Sequence, residues 1–479
     1  MGRVVAVVTL LFACCVYLVA QSAANVDKSP ARPAASVALT PELIDGFRKD
    51  FASNPRNITM QNAIGTTSVD ALSLNRAVVA STDHTFSNTV DNWKATAQNK
   101  SGRCWIFAGC NVLRAACMKN LENKDFELSQ NYMMFWDKLE KCNYFLEAMI
   151  ETAGRDVDDR TVDYLIGHPV GDGGQWNMFA NLIEKYGVVP KSAMPETESS
   201  SNSGSMNKIL TTKLRQYAMA LRNAYAAKAS PSELSAMKQD MMNVLHRVLC
   251  IHLGTPPKTF FWQWKDKKDN FHRDGEMTPK EFAQKYLTTP LDEYVCLVDD
   301  PRKSNPKGKV YTVEYLGNVA GGEPVRYLNV EIELIKELTM KAILDGEPVW
   351  FGCDTGKMMS RDLGLWDEKL FDFEGIYGTS FASTKEERLL YGQSQMNHAM
   401  VFTGVDVVDG KPRKWRVENS WGKEPGQEGF FTMNDNWFDE YVFEIAVHKD
   451  MLPEKYQKVL NSEATVLPAW DPMGSLARE

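Results

Sequence analysis

From Cys104 onward, apolar side chains recur at Ile106, Cys110, Leu113 and Cys117, which are positions i, i+4, i+7 and i+11. That spacing predicts a helix with one buried stripe, beginning at Cys104. Ala108, Leu113, Ala115, Ala116 and Met118 favour the same conformation. A different period governs the C-terminal part. His398 opens an apolar, strand-like run through Val405, Asp409-Gly410-Lys411-Pro412 reads as a turn, and Lys414–Asn419 reads as a second strand. Alternation puts Trp415, Val417 and Asn419 on one side of that strand, and the hairpin brings His398 and Asn419 to the same end. Between these regions, residues 208–250 are largely helical, with apolar positions Leu214, Tyr217, Leu221, Leu234, Met241 and Leu245. Ser230-Pro231 divides them into two helices, Ser230 as cap and Pro231 in the first turn. Ser199–Ser205 reads as a loop, and the aromatic run Phe260-Phe261-Trp262-Gln263-Trp264 as core packing.

The two termini of the helix–strand pattern carry chemistry. A thiolate is a good nucleophile, and a helix N-terminus with a nearby imidazole stabilises it. Cys104 stands at such a start, with Gly102 just before it. Gln98 supplies a side-chain N–H that, with the backbone N–H of Cys104, would stabilise a tetrahedral oxyanion. His398 would act as base and Asn419 would orient its ring, leaving one ring nitrogen for the thiol. Trp421, in Asn419-Ser420-Trp421-Gly422, would shield that hydrogen bond from water. Cys110 and Cys117 lie on the apolar stripe and read as core. His84, His168, His246, His252, His272 and His448 have no comparable neighbours and receive no role.

These segments resemble the papain superfamily of cysteine peptidases, whose signature is C-G-[SA]-C-[WY] with His and Asn far downstream. Here it reads Ser101-Gly102-Arg103-Cys104-Trp105. Leu128-Ser129-Gln130-Asn131 and Gly171-Asp172-Gly173-Gly174-Gln175-Trp176 resemble two further segments of the superfamily, the second being a substrate-binding loop carrying Gly173 and Gly174. Both cysteines that pair in secreted members are missing, as expected for an ancestor that folded in a reducing compartment. Arg103, the segment Asn397-His398-Ala399-Met400 and the ending Leu467–Glu479 are similar to the bleomycin hydrolase/aminopeptidase C branch, and the resemblance runs from about Leu39 to the end. Cys104 and His398 lie 294 positions apart (398 − 104). Papain-type spacing is about 130–150, so roughly 150 residues are inserted.

The resemblance implies an α+β, papain-like two-lobe fold with a large, mostly helical insertion and a C-terminal arm. Expected divisions are a signal peptide or anchor at 1–24, a disordered linker at 25–40, a helical lobe with Cys104 at 41–200, an oligomerisation arm at 201–330, a β-rich lobe with His398 and Asn419 at 331–455, and the arm at 456–479. The implied activity is removal of N-terminal residues from peptides through a thioester acyl-enzyme. The arm would enter the cleft and present a carboxylate near Ala477 to the substrate's free amine, whereas this chain adds Arg478 and Glu479. The alternatives are an endopeptidase with an open cleft and a non-catalytic hexameric nucleic-acid-binding scaffold. A homohexamer is implied, with no metal and no organic cofactor.

Composition changes this picture in one respect. The chain is 44% hydrophobic and 24% charged with net charge −8, which argues against bulk nucleic-acid affinity. Val4–Ala20 is almost wholly apolar after Arg3 and is followed by Ser22-Ala23-Ala24, the pattern of a secretory signal. It points to a secreted or endolysosomal (vesicular) protein, without stable membrane insertion unless the segment stays as an anchor. The rest of the chain points the other way, to the cytoplasm. It has seven cysteines after that segment, an odd number without framework spacing. Asn99-Lys100-Ser101 is a glycosylation sequon beside Cys104, and Asn57-Ile58-Thr59 is a second.

Overall fold

The computed structural model describes residues 38–478, apart from 91, 92 and 124 and the side chain of Arg478. The expected signal segment and nearly all of the linker lie outside the described residues. Among the described residues no helix is long and apolar enough to cross a membrane. The described residues form two compact units, one ending at residue 73 and one beginning at residue 74. In the first, Thr40 and Asn54 cap the helices Pro41–Ser53 and Pro55–Ile64, each with proline in its first turn. Leu43, Phe47 and Phe51 repeat every fourth residue along Pro41–Ser53 and stay 44%, 55% and 42% exposed.

The second unit packs helices against one long sheet. Its helical part holds Cys104–Leu121, Gln130–Glu151 and Trp176–Tyr186. The predicted stripe is buried: Ile106, Cys110, Leu113 and Cys117 are all enclosed. The Gln130 helix starts where Ser129 accepts from the Tyr132 N–H. The same hydroxyl donates to the Met194 carbonyl at 2.5 Å, tying the cap to the fold. The sheet's central strands run Val442–His448, Val349–Cys353, His398–Val408, Lys411–Glu418 and Phe430–Asn434, all antiparallel neighbours. Val349–Cys353 is buried throughout, as an apolar strand covered on both faces must be.

Three local expectations need correcting. The hairpin turn is only Asp409-Gly410, because Val408 pairs with Lys411. Both turn residues have positive φ (50° and 76°), the two-residue geometry that matches strand twist, and Lys411 and Pro412 therefore join the strand. Ser199–Ser205 is not a plain loop: a capping box between Thr197 and Ser200 closes the one-turn helix Glu198–Ser201, and the next helix begins at Gly204. The aromatic run is the strand Phe260–Lys265, paired with Phe271–Met277. Alternation buries Trp262 but leaves Phe261 61% exposed, so only one face is core.

The region 201–330 begins as two helices, Gly204–Ala226 and Pro231–Leu253, and Ser230 makes a capping box with Glu233 at the division. It then turns to strands. Tyr294–Val298 pairs with Val442–His448 and with Tyr327–Asn329, so one sheet joins strands from both sides of position 330. Thr465–Leu467 closes the sheet's far edge beside Val310–Val313, and the C-terminal segment follows it.

Candidate active site

Cys104 is the first residue of its helix, and Arg103 at the N-cap makes no side-chain cap. The positive end of the helix is therefore presented at the thiol. Arg103 is instead drawn away, fully buried, in a two-pronged pair with Glu196 (2.9 and 3.2 Å). His398 is the first residue of its strand, paired in register with Cys353. The backbone N–H of Ala399, next to it, donates to Cys104 Sγ at 3.4 Å. The strand thus meets the helix start at the thiol.

His398 Nε2 lies 2.9 Å from Asn419 Oδ1. That oxygen also accepts from the Ser420 N–H at 2.8 Å, which fixes which way the amide faces. Nε2 must then carry the proton, and Nδ1 is left as the basic nitrogen. The Trp421 ring sits 5.3 Å from the imidazole at 38°. Burial lowers the His398 pKa to about 4, with the Asn419 bond opposing the shift. The imidazole is therefore neutral at pH 7, as a base must be.

Gln98 is held from three sides. Its Nε2 donates to the Ser101 carbonyl (2.5 Å), its Oε1 accepts from Ser420 Oγ (2.5 Å), and its backbone N–H donates to the Ser420 carbonyl (2.8 Å). Ser420, between Asn419 and Trp421, was not singled out from the sequence, yet it couples the Gln98 amide to the His398 partner. Its only sequence signal was its place in the Asn-Ser-Trp run.

A second unforeseen group is Asp172, in the glycine-rich segment. It accepts from the Gly102 N–H (2.9 Å) and Asn207 Nδ2 (2.8 Å), from Ser203 Oγ, and pairs with Lys138 at 2.5 Å. Lys138 and these hydrogen bonds overcome the opposing effect of burial and hold the carboxyl well below its usual range. Ser101 donates to the Gln98 carbonyl (2.7 Å) and accepts from Arg103 Nε (3.0 Å). Where secreted papain-like chains are expected to carry a disulfide, polar contacts hold these loops. The seven cysteines from Cys104 to Cys353 make no disulfide.

Gly173 and Gly174 are glycines for two different reasons. A Cβ on Gly174 would fall 2.4 Å from the Trp105 ring, so the glycine lets the indole lie flat beneath the loop. A Cβ on Gly173 would fall 1.9 Å from the Leu476 carbonyl oxygen, so the C-terminal segment runs directly against it. Ala477 follows, half-buried. On the opposite wall, Ser475 Oγ donates to the Met396 carbonyl at 2.6 Å, two residues before His398. Met473 and Leu476 are buried, and Tyr327 Oη and Gln175 Nε2 donate to the Met473 carbonyl (3.0 and 3.4 Å). Upstream, Asp471 makes a two-pronged pair with Arg302 (2.8 and 2.9 Å). The tail therefore touches both the glycine-rich segment at Gly173 and the Met396 carbonyl shortly before His398. An open cavity of about 860 Å³ lies elsewhere, between the Trp176 helix and the strand Tyr294–Val298.

A buried clamp joins the two halves behind the thiol. Glu418, next to Asn419, accepts from Arg114 (2.9 Å), Asn111 (3.0 Å) and Trp93 Nε1 (2.5 Å). Arg114 and Asn111 lie on the Cys104 helix.

Residues 38–474 match the Peptidase C1-like family. Aminopeptidase C of Listeria monocytogenes is 43% identical over 439 residues, covering 92% of this chain and 99% of that protein. Human bleomycin hydrolase is 43% identical over 452 residues, with the same coverage of both chains. The crystal structure of PepW from a Lactobacillus superposes with a TM-score of 0.91 at 44% identity, over 92% of this chain and all of that one.

Proposed function

Because the chain belongs to the Peptidase C1-like family, we propose that it is a cysteine aminopeptidase of the bleomycin hydrolase and aminopeptidase C kind, acting on peptides with a free N-terminus. The observation that carries this reading is the tail packed against Gly173 and Met396 beside the pair Cys104 and His398. A substrate's upstream residues and the tail would compete for one space, so only a short N-terminal stub fits on that side.

In this mechanism His398 Nδ1 takes the proton of Cys104, and the thiolate attacks the substrate carbonyl. The Gln98 amide and the Cys104 backbone N–H donate to the oxyanion; losing one such donor costs about 3–4 kcal/mol. His398 returns the proton to the leaving amine, leaving a thioester. Water, deprotonated by His398, hydrolyses it. The chemistry needs no metal or organic cofactor.

Paired fluorogenic substrates test the reading, one with a free amine and one N-blocked. Full-length protein is assayed beside chains ending at Ala477 and at Asp471, the latter keeping the Arg302 pair. Cleavage of only the free-amine substrate, with blocked substrate gained in the shorter chain, is the expected result. Equal cleavage of both by the full-length protein would make it an endopeptidase instead.

We also infer homo-oligomerisation to a hexamer. The exposed stripe Leu43, Phe47 and Phe51 supports an apolar contact with another copy. The N-terminal segment supports passage into a secretory or endolysosomal route; fractionation of tagged protein decides that against a cytoplasmic location.

A further inference from the structure

The sequon Asn99-Lys100-Ser101 has no use in the mechanism above, although it adjoins the oxyanion donor Gln98. The residues around Asn99 are held in place. Gln98 is buried, and the Ser101 hydroxyl closes the turn onto the Gln98 carbonyl at 2.7 Å. The Lys100 N–H donates to the Ser201 carbonyl at 2.9 Å, and the Lys100 carbonyl accepts from the Ser203 N–H at 3.3 Å. Asn99 stands between them with φ of 54°, a left-handed backbone that asparagine accepts better than most residues. Its side chain is exposed and makes no hydrogen bond among the described residues. A sugar attached before folding is complete must be tolerated by the finished fold, and such sugars lie on surface loops. An exposed amide on a fixed turn meets that condition, because substituting Nδ2 removes no contact.

Asn99 also has a defined place relative to the chemistry. The residues before it run along the segment from Asn419 to Gly422. Ala97 pairs with Trp421, the Gly422 N–H donates to the Thr96 carbonyl at 2.9 Å, and Ser420 holds Gln98 through backbone and side chain. Trp421 in turn flanks the His398 ring. His398 delivers the proton to the leaving amine, so the leaving chain departs past this wall. The tail docks on other segments, at Gly173, Gln175 and Met396. Asn99 therefore stands on the wall that the leaving chain passes and that none of these tail contacts uses.

We propose that Asn99 carries an N-linked glycan, which stands at the leaving-group end of the cleft and restricts how far a substrate can extend downstream. This rests on reading the N-terminal segment as a secretory signal and the chain as an aminopeptidase. In the transfer, Asn99 Nδ2 loses one proton and bonds to the anomeric carbon of a lipid-pyrophosphate-linked oligosaccharide. The anomeric C–O bond breaks, and the lipid pyrophosphate leaves with that electron pair and takes up the proton. The tail then limits substrates upstream and the sugar limits them downstream, so short peptides are favoured from both ends.

The test expresses the full chain in eukaryotic cells behind its own N-terminus and, in parallel, behind a foreign secretory signal replacing residues 1–24. Occupancy is read by peptide mass after an amidase removes the sugar and turns each occupied asparagine into aspartate. Asn99 modified in both preparations is the expected result. Modification only behind the foreign signal overturns the secretory reading and the proposal with it. Modification of the second sequon, at Asn57, but not of Asn99 keeps the route and overturns the site. Asn99 unmodified behind either signal overturns the site as well. Activity is then compared on two free-amine substrates, a small fluorogenic amide and a long unstructured peptide. Enzymatic removal of the sugar, or Asn99→Gly, which suits the positive φ, should raise kcat/KM on the long peptide about fivefold or more and leave the small amide unchanged. Asn99→Asp repeats the comparison with a side chain kept. An occupied Asn99 without this difference overturns the placement at the leaving-group end. No cleavage of either substrate by any preparation overturns the peptidase reading and the placement with it, while occupancy is decided by mass alone.

Discussion

Asn419 holds His398 through a single oxygen, and that oxygen is already oriented by the Ser420 N–H. Asn419→Ala removes the orienter but neither the thiol nor the base. We expect kcat to fall about 10- to 100-fold with KM little changed, measured on the free-amine substrate. Cys104→Ala should abolish turnover and leave the circular dichroism spectrum unchanged. Two buried groups set opposite pH slopes on stability. His398 has a folded pKa of about 4 against an ordinary 6.5, so between those values the unfolded chain binds the extra proton. Stability from this residue therefore rises as pH increases from 4 to 6.5. Glu444 has a folded pKa of about 8 against 4.5, so the folded chain holds the extra proton and stability falls as pH increases through that window. Thermal unfolding of Glu444→Gln should show a shallower decline between pH 5 and 8 than wild type, by up to about 1 kcal/mol per pH unit. An unchanged slope would mean that the carboxyl is ionised in the folded chain.

At the scale of elements, the Cys104 helix and the strand Lys411–Glu418 are joined behind the site by a charge pair that water does not reach, Glu418 with Arg114. Removing one partner strands the other. Arg114→Met should cost about 3–5 kcal/mol in denaturant unfolding, more than the double variant Arg114→Met with Glu418→Gln. The helix that starts at Cys104 and the strand that starts at His398 were both legible, because each buries a clean periodic face: Ile106, Cys110, Leu113 and Cys117 in one, and an apolar run through Val405 in the other. Asn419 was legible through the hairpin that returns it to His398. What escaped was set by single polar atoms meeting across long sequence distances. Ser420 finding Gln98, Asp172 finding Gly102, and Glu418 finding Arg114 leave no period in the chain. The strand character of Phe260–Lys265 and the two-residue turn were missed for a different reason: tertiary pairing decides which face of an aromatic run is covered, and the positive-φ pair Asp409-Gly410 closes the turn before Pro412 is reached.

At the scale of the molecule, the helix Pro41–Ser53 leaves three large apolar side chains in water. Phe47→Asp should lower the assembly state seen by light scattering, and an unchanged mass would place the contact elsewhere. The tail, for its part, is fixed at Arg302 and again at Met396, with only three residues between Asp471 and Ser475. A peptide tethered that tightly competes as if present at millimolar concentration or above. Inhibitors that extend upstream of the scissile bond would have to displace it and should look weak, whatever their intrinsic fit. Electrophiles that reach Cys104 from the downstream side would escape that competition, so the segment from Asp471 to Ala477 would dictate from which direction this enzyme can be drugged.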